Sequence, residues 1–429
     1  MKILIIHFKF YNEGGPEKYL FNIGGFFKSK GHEVIDFSIN LDKNEYSEYE
    51  KYFPTLKSGS SEFHLNKLNL TIFQKFTVFK NQVYNFQVKK ALNKLINDTN
   101  PDIAYVLSFK GKLSSSVFDI CNKNKIPIVH RISDFSLLCL KNIYYRKGSV
   151  CRKCDVNMLN GVLYKCDGNS YLRSLASYLS LQLFYTFNKQ KTIDSIVCPS
   201  LSTVNLFKEN KRFKNNRVVL LPTYIKSEKR LKFNKVDIEK RFNNRCFAFW
   251  GRVDDDKGVE FFVKAIKILQ KSDFKINAKI FGLSDNDYSN YIRSFIKNNN
   301  LKDVEIFSFL EKDELLEKVS KCSVSILPSV WYDNMPNSLI ESQSLAIPVI
   351  ASRIGCFPEL INSDNGLTFE PKNPVDLALK MKEILSSQVK YEKFASNSLS
   401  WSNNYCSEER HYEIILDEFH NLIEKNVNK

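Results

Sequence analysis

Two carboxylates eight positions apart, Asp333 and Glu341, flank a polar turn at Pro336-Asn337-Ser338, and Glu341 heads an apolar run. Paired acids suggest proton transfer, but cations elsewhere in the chain point to another use. Gly251-Arg252 follows the apolar run Cys246 to Trp250, and Lys257-Gly258 opens the next helical pattern. Gly251 lets the backbone turn tightly; Arg252 supplies a fork of donors and Lys257 a point charge, a combination suited to a diphosphate. A helix starting near Leu339, with Asn337 or Ser338 as cap, would turn the amides around Asn337, Ser338 and Leu339 toward the same crevice. In its first turn Glu341 can accept hydrogen bonds from the vicinal hydroxyls of a ribose, and Asp333 can reach hydroxyls beyond the phosphates. Taken singly, these are also ordinary loop cations and surface acids. The Walker phosphate loop, Gly-x4-Gly-Lys-Ser/Thr, is absent.

Further candidates lie in the first half. Gly14 and Gly15 follow the first apolar run and permit close approach to a phosphate or sugar. His130 ends another apolar run, with Asp134 four residues on and able to orient it. Cys139, Cys151, Cys154 and Cys166 are spaced C-x11-C-x2-C-x11-C. One CxxC with two flanking thiols can hold a structural zinc, or the four can pack a loop as reduced thiols. The very apolar segment Tyr171 to Phe187 reads as a core helix or as a helix lying on a membrane surface.

These residues need elements to hold them. Ile3 to Phe8, Glu17 to Lys30 and Val34 to Phe37 read as strand, helix and strand, a unit that favours a parallel sheet. Strands are also expected at Ile103 to Ser108, Pro127 to Ile132, Ser195 to Cys198 and Arg217 to Leu221. After a Lys-rich stretch the alternation resumes with strands at Cys246 to Trp250, Ala278 to Phe281, Val304 to Phe307, Ser323 to Leu327 and Val349 to Ala351. Between them lie helical patterns at Gly258 to Lys271, Asp287 to Asn298, Asp313 to Lys321 and Leu339 to Leu345. The fold class expected is α/β, two doubly wound domains facing a cleft. The first covers residues 1–222, with a Cys-bearing insertion at about 136–170. A linker at 223–244 precedes a second domain at 245–400, and an amphipathic end, 401–429, packs back across both. Ligand is expected between the domains, at the carboxyl ends of both sheets.

The 429 residues carry a formal charge of +16, and all the excess lies in the first half. Residues 1–222 hold 33 Lys and Arg against 17 Asp and Glu, while the remainder balances at 30 and 30. A basic half beside a neutral half implies an anionic partner: a membrane surface, a phosphorylated substrate or nucleic acid. No run of eighteen apolar residues exists, and the start lacks a signal-peptide cleavage pattern, so a cytoplasmic protein is expected. Reduced thiols fit that setting.

Gly251-Arg252, Lys257-Gly258, the acid-x7-acid pair, "PVIAS" and "PELI" together resemble glycosyltransferase family 4, and "GGPEKYLFNIGGFFKSKGHEV" is similar to that family's opening. The resemblance runs along nearly the whole chain and is strongest from Cys246 to Pro371. It implies the GT-B fold and a hexosyltransferase that retains configuration at the anomeric carbon, building a bacterial surface polysaccharide. The implied donor is a nucleotide-diphosphate sugar bound by the second domain; the acceptor is a glycan or polyprenyl-linked. No cofactor and no divalent metal would be required. Arg252 and Lys257 would stabilise the departing diphosphate, Glu341 would hold the ribose, amides around Asn337, Ser338 and Leu339 would hold phosphate, and Asp333 would bind the sugar. His130 would contact that sugar, the leaving phosphate itself taking the acceptor's proton. The family usually has Glu where Asp333 stands, one methylene longer.

The rival readings are a basic nucleic-acid-binding protein and a GT-B sugar-nucleotide epimerase or phosphorylase. No module with aromatic residues interleaved among cations is evident, so nucleic acid is not expected as a partner. An enzyme attached peripherally to an anionic inner membrane face fits the charge asymmetry.

Overall fold

The computed structural model describes residues 1–55, 71–226, 235–272 and 274–427. Six strands form the first sheet: β1 (Lys2–Ile6), β2 (Glu33–Phe37), β3 (Ile103–Val106), β4 (Ile128–Arg131), β7 (Ser195–Cys198) and β8 (Arg217–Leu220), in the order β2-β1-β3-β4-β7-β8. A hairpin of β5 (Tyr145–Arg146) and β6 (Ser149–Val150) lies in the Cys-bearing insertion. The second sheet contains β9 (Cys246–Trp250), β10 (Asn277–Leu283), β11 (Val304–Ser308), β12 (Val324–Leu327), β13 (Val349–Ser352) and β14 (Gly366–Phe369), in the order β11-β10-β9-β12-β13-β14. All pairings in both six-stranded sheets are parallel. This is the GT-B architecture of two α/β domains.

Strands such as CFAFW and VSIL are buried throughout, as strands covered by helices on both faces must be. Strand order reverses between β1 and β3 in one sheet and between β9 and β12 in the other. In doubly wound sheets the ligand crevice opens at such switch points. The loops that leave β1, β9 and β12 carry Gly14-Gly15, Gly251 to Lys257, and Asp333 respectively.

The stretch from 235 to 244 departs from the expected linker. Lys235–Asn244 is a helix whose Ile238 and Arg241 are buried. The Arg241 guanidinium donates to the carbonyls of Leu345 and Ala346, at 2.7 and 3.1 Å. Its apolar residues are too few for a visible period; the buried cation and its carbonyl partners fasten the helix instead. Residues 227–234 of the expected linker lie outside the described residues. Helices Ile72–Val83, Phe86–Thr99, Pro374–Ile384 and Gln388–Tyr405 and strand β14 were not among the elements read from sequence.

Helix Glu408–Val427 returns to the first domain and buries Ile415, Phe419 and Leu422 among Ile3, Ile23, Phe27 and Tyr105. Glu418 pairs with Arg217 through two 2.7 Å bonds, and the His411 ring lies 2.6 Å from the Pro222 carbonyl and 2.8 Å from the Tyr19 hydroxyl. Phe419→Ala is expected to cost about 3–5 kcal/mol, the usual range for a buried Phe truncated to Ala. A midpoint of chemical denaturation unchanged by that substitution would refute the packing role.

Candidate functional site

The C-terminal sheet supplies most of the site. After β9 the backbone passes through Gly251, with φ +142, and Arg252, then closes a short 3-10 turn over Asp255–Lys257. Gly258 adopts φ +66, and a Cβ there would lie 2.1 Å from the Pro328 carbonyl oxygen, so only glycine lets this turn lie against the β12 loop. That approach brings Lys257 to the second loop. Its ammonium lies 2.8 and 3.0 Å from the two Asp333 carboxylate oxygens and 4.9 Å from the Trp331 ring centre. Asp333 is buried and also accepts from the Ser329 hydroxyl at 2.6 Å. Arg252 is held by Asp254 and, at 2.8 Å, by Asp256, yet its side chain remains 61% exposed. Burial raises the Asp256 carboxyl above the usual carboxylate range, opposed by the charges of Arg252 and Lys257.

The helix beyond the turn starts two residues earlier than expected, at Asn337, and runs to Ser344. Pro336 is its N-cap, with no side-chain cap, so Asn337 and Ser338 are first-turn residues rather than caps. The Leu339 amide is already committed to the Pro336 carbonyl, at 3.0 Å. The uncapped donors at this helix end are therefore the amides of Asn337 and Ser338.

Glu341 faces the other domain. One of its oxygens receives Lys18 at 2.8 Å, from the first turn of helix Gly15–Ser29, and Lys312 at 2.6 Å. Gly15 packs equally closely, since a Cβ on it would stand 3.2 Å from the Asn337 side-chain nitrogen. Other contacts fix the domains around this point: the Ser202 amide donates to Glu359 at 2.8 Å, Tyr145 to Asp255 at 3.1 Å, and Asn334 to the Ile132 carbonyl at 3.0 Å. A cavity of about 280 Å³ lies beside Asp333, between Phe135, Arg152 and Ser202 of one domain and Tyr332 and Gly355 of the other.

His130 lies in β4, next to its last residue, and is buried between the rings of Phe109 and Phe118. Its Nδ1 is 2.8 Å from the Val106 carbonyl, which orients the ring; Asp134, expected in that role, accepts from the Ser136 amide instead. Burial lowers its pKa to about 4, so the imidazole is neutral at pH 7 and suited to hydrogen bonding rather than to carrying charge.

The structure thus gathers Lys257, Asp333 and the Asn337 helix, with Arg252 beside them, and Gly15 meets Asn337 from across the cleft. Lys18 and Lys312, the two partners of Glu341, escaped the sequence reading; Lys18's one local signal was its place just after the Gly-Gly pair. Asp256 was visible only as one of three consecutive acids. All ten cysteines are free thiols. Among the described residues no three His, Cys, Asp or Glu side chains converge so as to hold a metal ion, the four insertion cysteines included.

Residues 232–401 match the family model described as glycosyl transferases group 1. An uncharacterized glycosyltransferase of Methanocaldococcus jannaschii, MJ1178, is 29% identical over 216 residues, 50% of this chain and 56% of its own length. An uncharacterized 42.6 kDa protein in the cps region of Klebsiella pneumoniae is 22% identical over 370 residues, 84% of this chain and 87% of that one. The solved structure of Anabaena HepE in complex with UDP superposes with a TM-score of 0.66 at 14% identity, covering 98% of this chain and 100% of its own. The second domain therefore matches the group 1 glycosyl transferases, within a chain that has the GT-B fold throughout.

Proposed function

We propose that the chain is a family 4 hexosyltransferase. It would move a hexosyl unit, with retention, from a nucleotide-diphosphate sugar to a glycan or polyprenyl-linked acceptor in bacterial surface polysaccharide synthesis. The observation that carries this reading is the Lys257–Asp333 pair beside the uncapped Asn337 helix end, with Glu341 one turn further on. Sugar, diphosphate and ribose would each find a partner in that order. The complex of HepE with UDP is consistent with a nucleotide ligand in this fold.

In this mechanism Asp333 holds a sugar hydroxyl, and Lys257, Arg252 and the Asn337 and Ser338 amides face the diphosphate. The bond from the anomeric carbon to the diphosphate oxygen breaks while that carbon bonds the acceptor oxygen on the same face. The acceptor's proton passes to the departing phosphate oxygen. Negative charge grows on the diphosphate, and fixed cations already placed there lower the barrier without reorganising. They supply the neutralisation for which other transferases use a divalent metal. Neutral His130 touches the sugar and is no base. Lys18 and Lys312 both meet one Glu341 oxygen, and the other would take the ribose hydroxyls.

A thermal-shift screen against UDP-, GDP-, dTDP- and ADP-sugars tests this. At a ligand concentration 100-fold above Kd, about 2.7 kcal/mol of stabilisation is expected, or roughly 5–10 °C in Tm where the second domain melts as its own unit. One nucleotide should stand out, and the shift should vanish in Glu341→Ala and Arg252→Ala. Equal shifts in the variants would remove the site assignment.

A further inference from the structure

Helix Ile72–Val83 packs against helix Tyr171–Thr186, where the Gln82 side chain donates to Ser177 at 2.8 Å. Both helices leave large apolar side chains in solvent. Phe73 is 86% and Phe76 67% exposed on one; Tyr171, Leu172 and Leu175 are exposed on the other. Phe86, exposed at the start of the next helix, lies beneath the Lys80 ammonium, 5.8 Å from its ring centre. Phe73, Phe76 and Lys80 share one stripe, at i, i+3 and i+7.

Charge tells what such a face meets. Residues 71–94 contain five lysines and no Asp or Glu, and helix Tyr171–Thr186 carries Arg173 and no acid. At the edge of this helix the Lys165 ammonium sits 4.5 Å from the Tyr171 ring centre. A protein interface of this size would ordinarily mix both signs around its apolar centre. The one acid at this helix pair, Asp167, is already paired with Arg173 at 2.9 Å; exposed Phe and Leu edged otherwise by lysines match a bilayer, whose acyl boundary takes the rings and whose anionic headgroups take the ammonium groups. Among the described residues no helix is long and apolar enough to cross a membrane, so the contact is with a surface.

We propose that this helix pair docks the N-terminal domain on an anionic lipid bilayer, with Phe73, Phe76, Leu172 and Leu175 inserted and the surrounding lysines on the headgroups. The proposal goes beyond the transferase reading and stands without it, because the contact involves neither the cleft nor a nucleotide. Should both hold, a lipid-linked acceptor would be presented along the same surface.

Flotation of the full chain with lipid vesicles tests the docking. Vesicles of phosphatidylcholine mixed with phosphatidylglycerol should carry at least about tenfold more protein than phosphatidylcholine alone, and high salt should release much of it. Phe73→Ser/Phe76→Ser and Leu172→Ser/Leu175→Ser should each lower the partition coefficient about tenfold or more. Circular-dichroism melts verify that both variants fold. Equal binding to both vesicle types, no binding at all, or binding unchanged by both double variants would overturn the proposal. So would a dimer in sedimentation that the same substitutions dissolve, with no vesicle binding, since the face would then belong to a second copy. No arm contains nucleotide, so a negative result here leaves the thermal-shift outcome untouched, and the reverse holds.

Discussion

Lys257→Ala is expected to lower kcat about 10²–10³-fold, the range for removing one fixed donor from a site of developing negative charge. On the proposed reading donor KM should change less, because Arg252 and the Asn337 helix end would still bind the ground-state diphosphate. The substitution also strips Asp333 of its cation. Breaking a buried ion pair from one side ordinarily costs about 3–5 kcal/mol, and here somewhat less, since Lys257 is partly exposed and the Ser329 hydroxyl remains on Asp333. The two effects separate in a double variant. Adding Asp333→Asn should recover much of the lost stability, with no charge left buried, and recover no activity. Urea midpoints and nucleoside-diphosphate release measure the two quantities. Near-normal turnover in the single variant, with stability alone reduced, would make Lys257 a structural partner of Asp333 and nothing more.

Acid should unfold the protein through its buried histidines. His7, His130 and His411 are each almost fully buried, and burial is the leading cause that lowers their pKa values from 6.5 to about 4, 4 and 3. In each case the folded state binds its proton less readily than the unfolded one. Their stabilising contribution is therefore complete above pH 6.5 and is lost as pH falls toward 4. Between pH 7 and 5 each should cost about 2 kcal/mol of unfolding free energy, roughly 6 together. Glu359 acts oppositely. Its burial raises the carboxyl to about 7, so protonation between pH 7 and 4.5 stabilises the folded state; half-exposed, it offsets about 1 kcal/mol at most. Equilibrium unfolding at both pH values should show a steeper loss in Glu359→Gln than in the unsubstituted chain. A pH-independent unfolding free energy from 7 to 5 would contradict the burial of these rings.

The order of elements in the second domain from β9 to β13 was legible because its strands are short, mostly apolar and separated by amphipathic helices. Arg252, Lys257 and Asp333 were legible because each lies in a loop between a strand and a helix that local pattern reveals; Glu341 lies one turn into its helix. Their pairings were not. Lys257 meets Asp333 across 76 residues and Lys18 meets Glu341 across 323, distances that only the sheet order and domain contact close. Local pattern misled at His130, where the neighbour in sequence, Asp134, lost to the β3 carbonyl of Val106. It also misled at 235–244, where polar residues conceal a helix fastened by one buried arginine. Asp333 shows a third kind of limit. The family resemblance marks it as one methylene short; only the structure shows how tightly Lys257 and Ser329 hold the shorter carboxylate.

The return of helix Glu408–Val427 to the first domain has a consequence for synthesis. Ile415, Phe419 and Leu422 complete a core whose other members are encoded before residue 225. A ribosome adding about 5–20 residues per second needs roughly 10–40 s to travel from one to the other. For that interval the nascent first domain exposes the faces of Tyr19, Phe27 and Tyr105 that the helix later covers. Its maturation is tied to translation of the whole second domain, and a chaperone that shields apolar surface has its longest opportunity there.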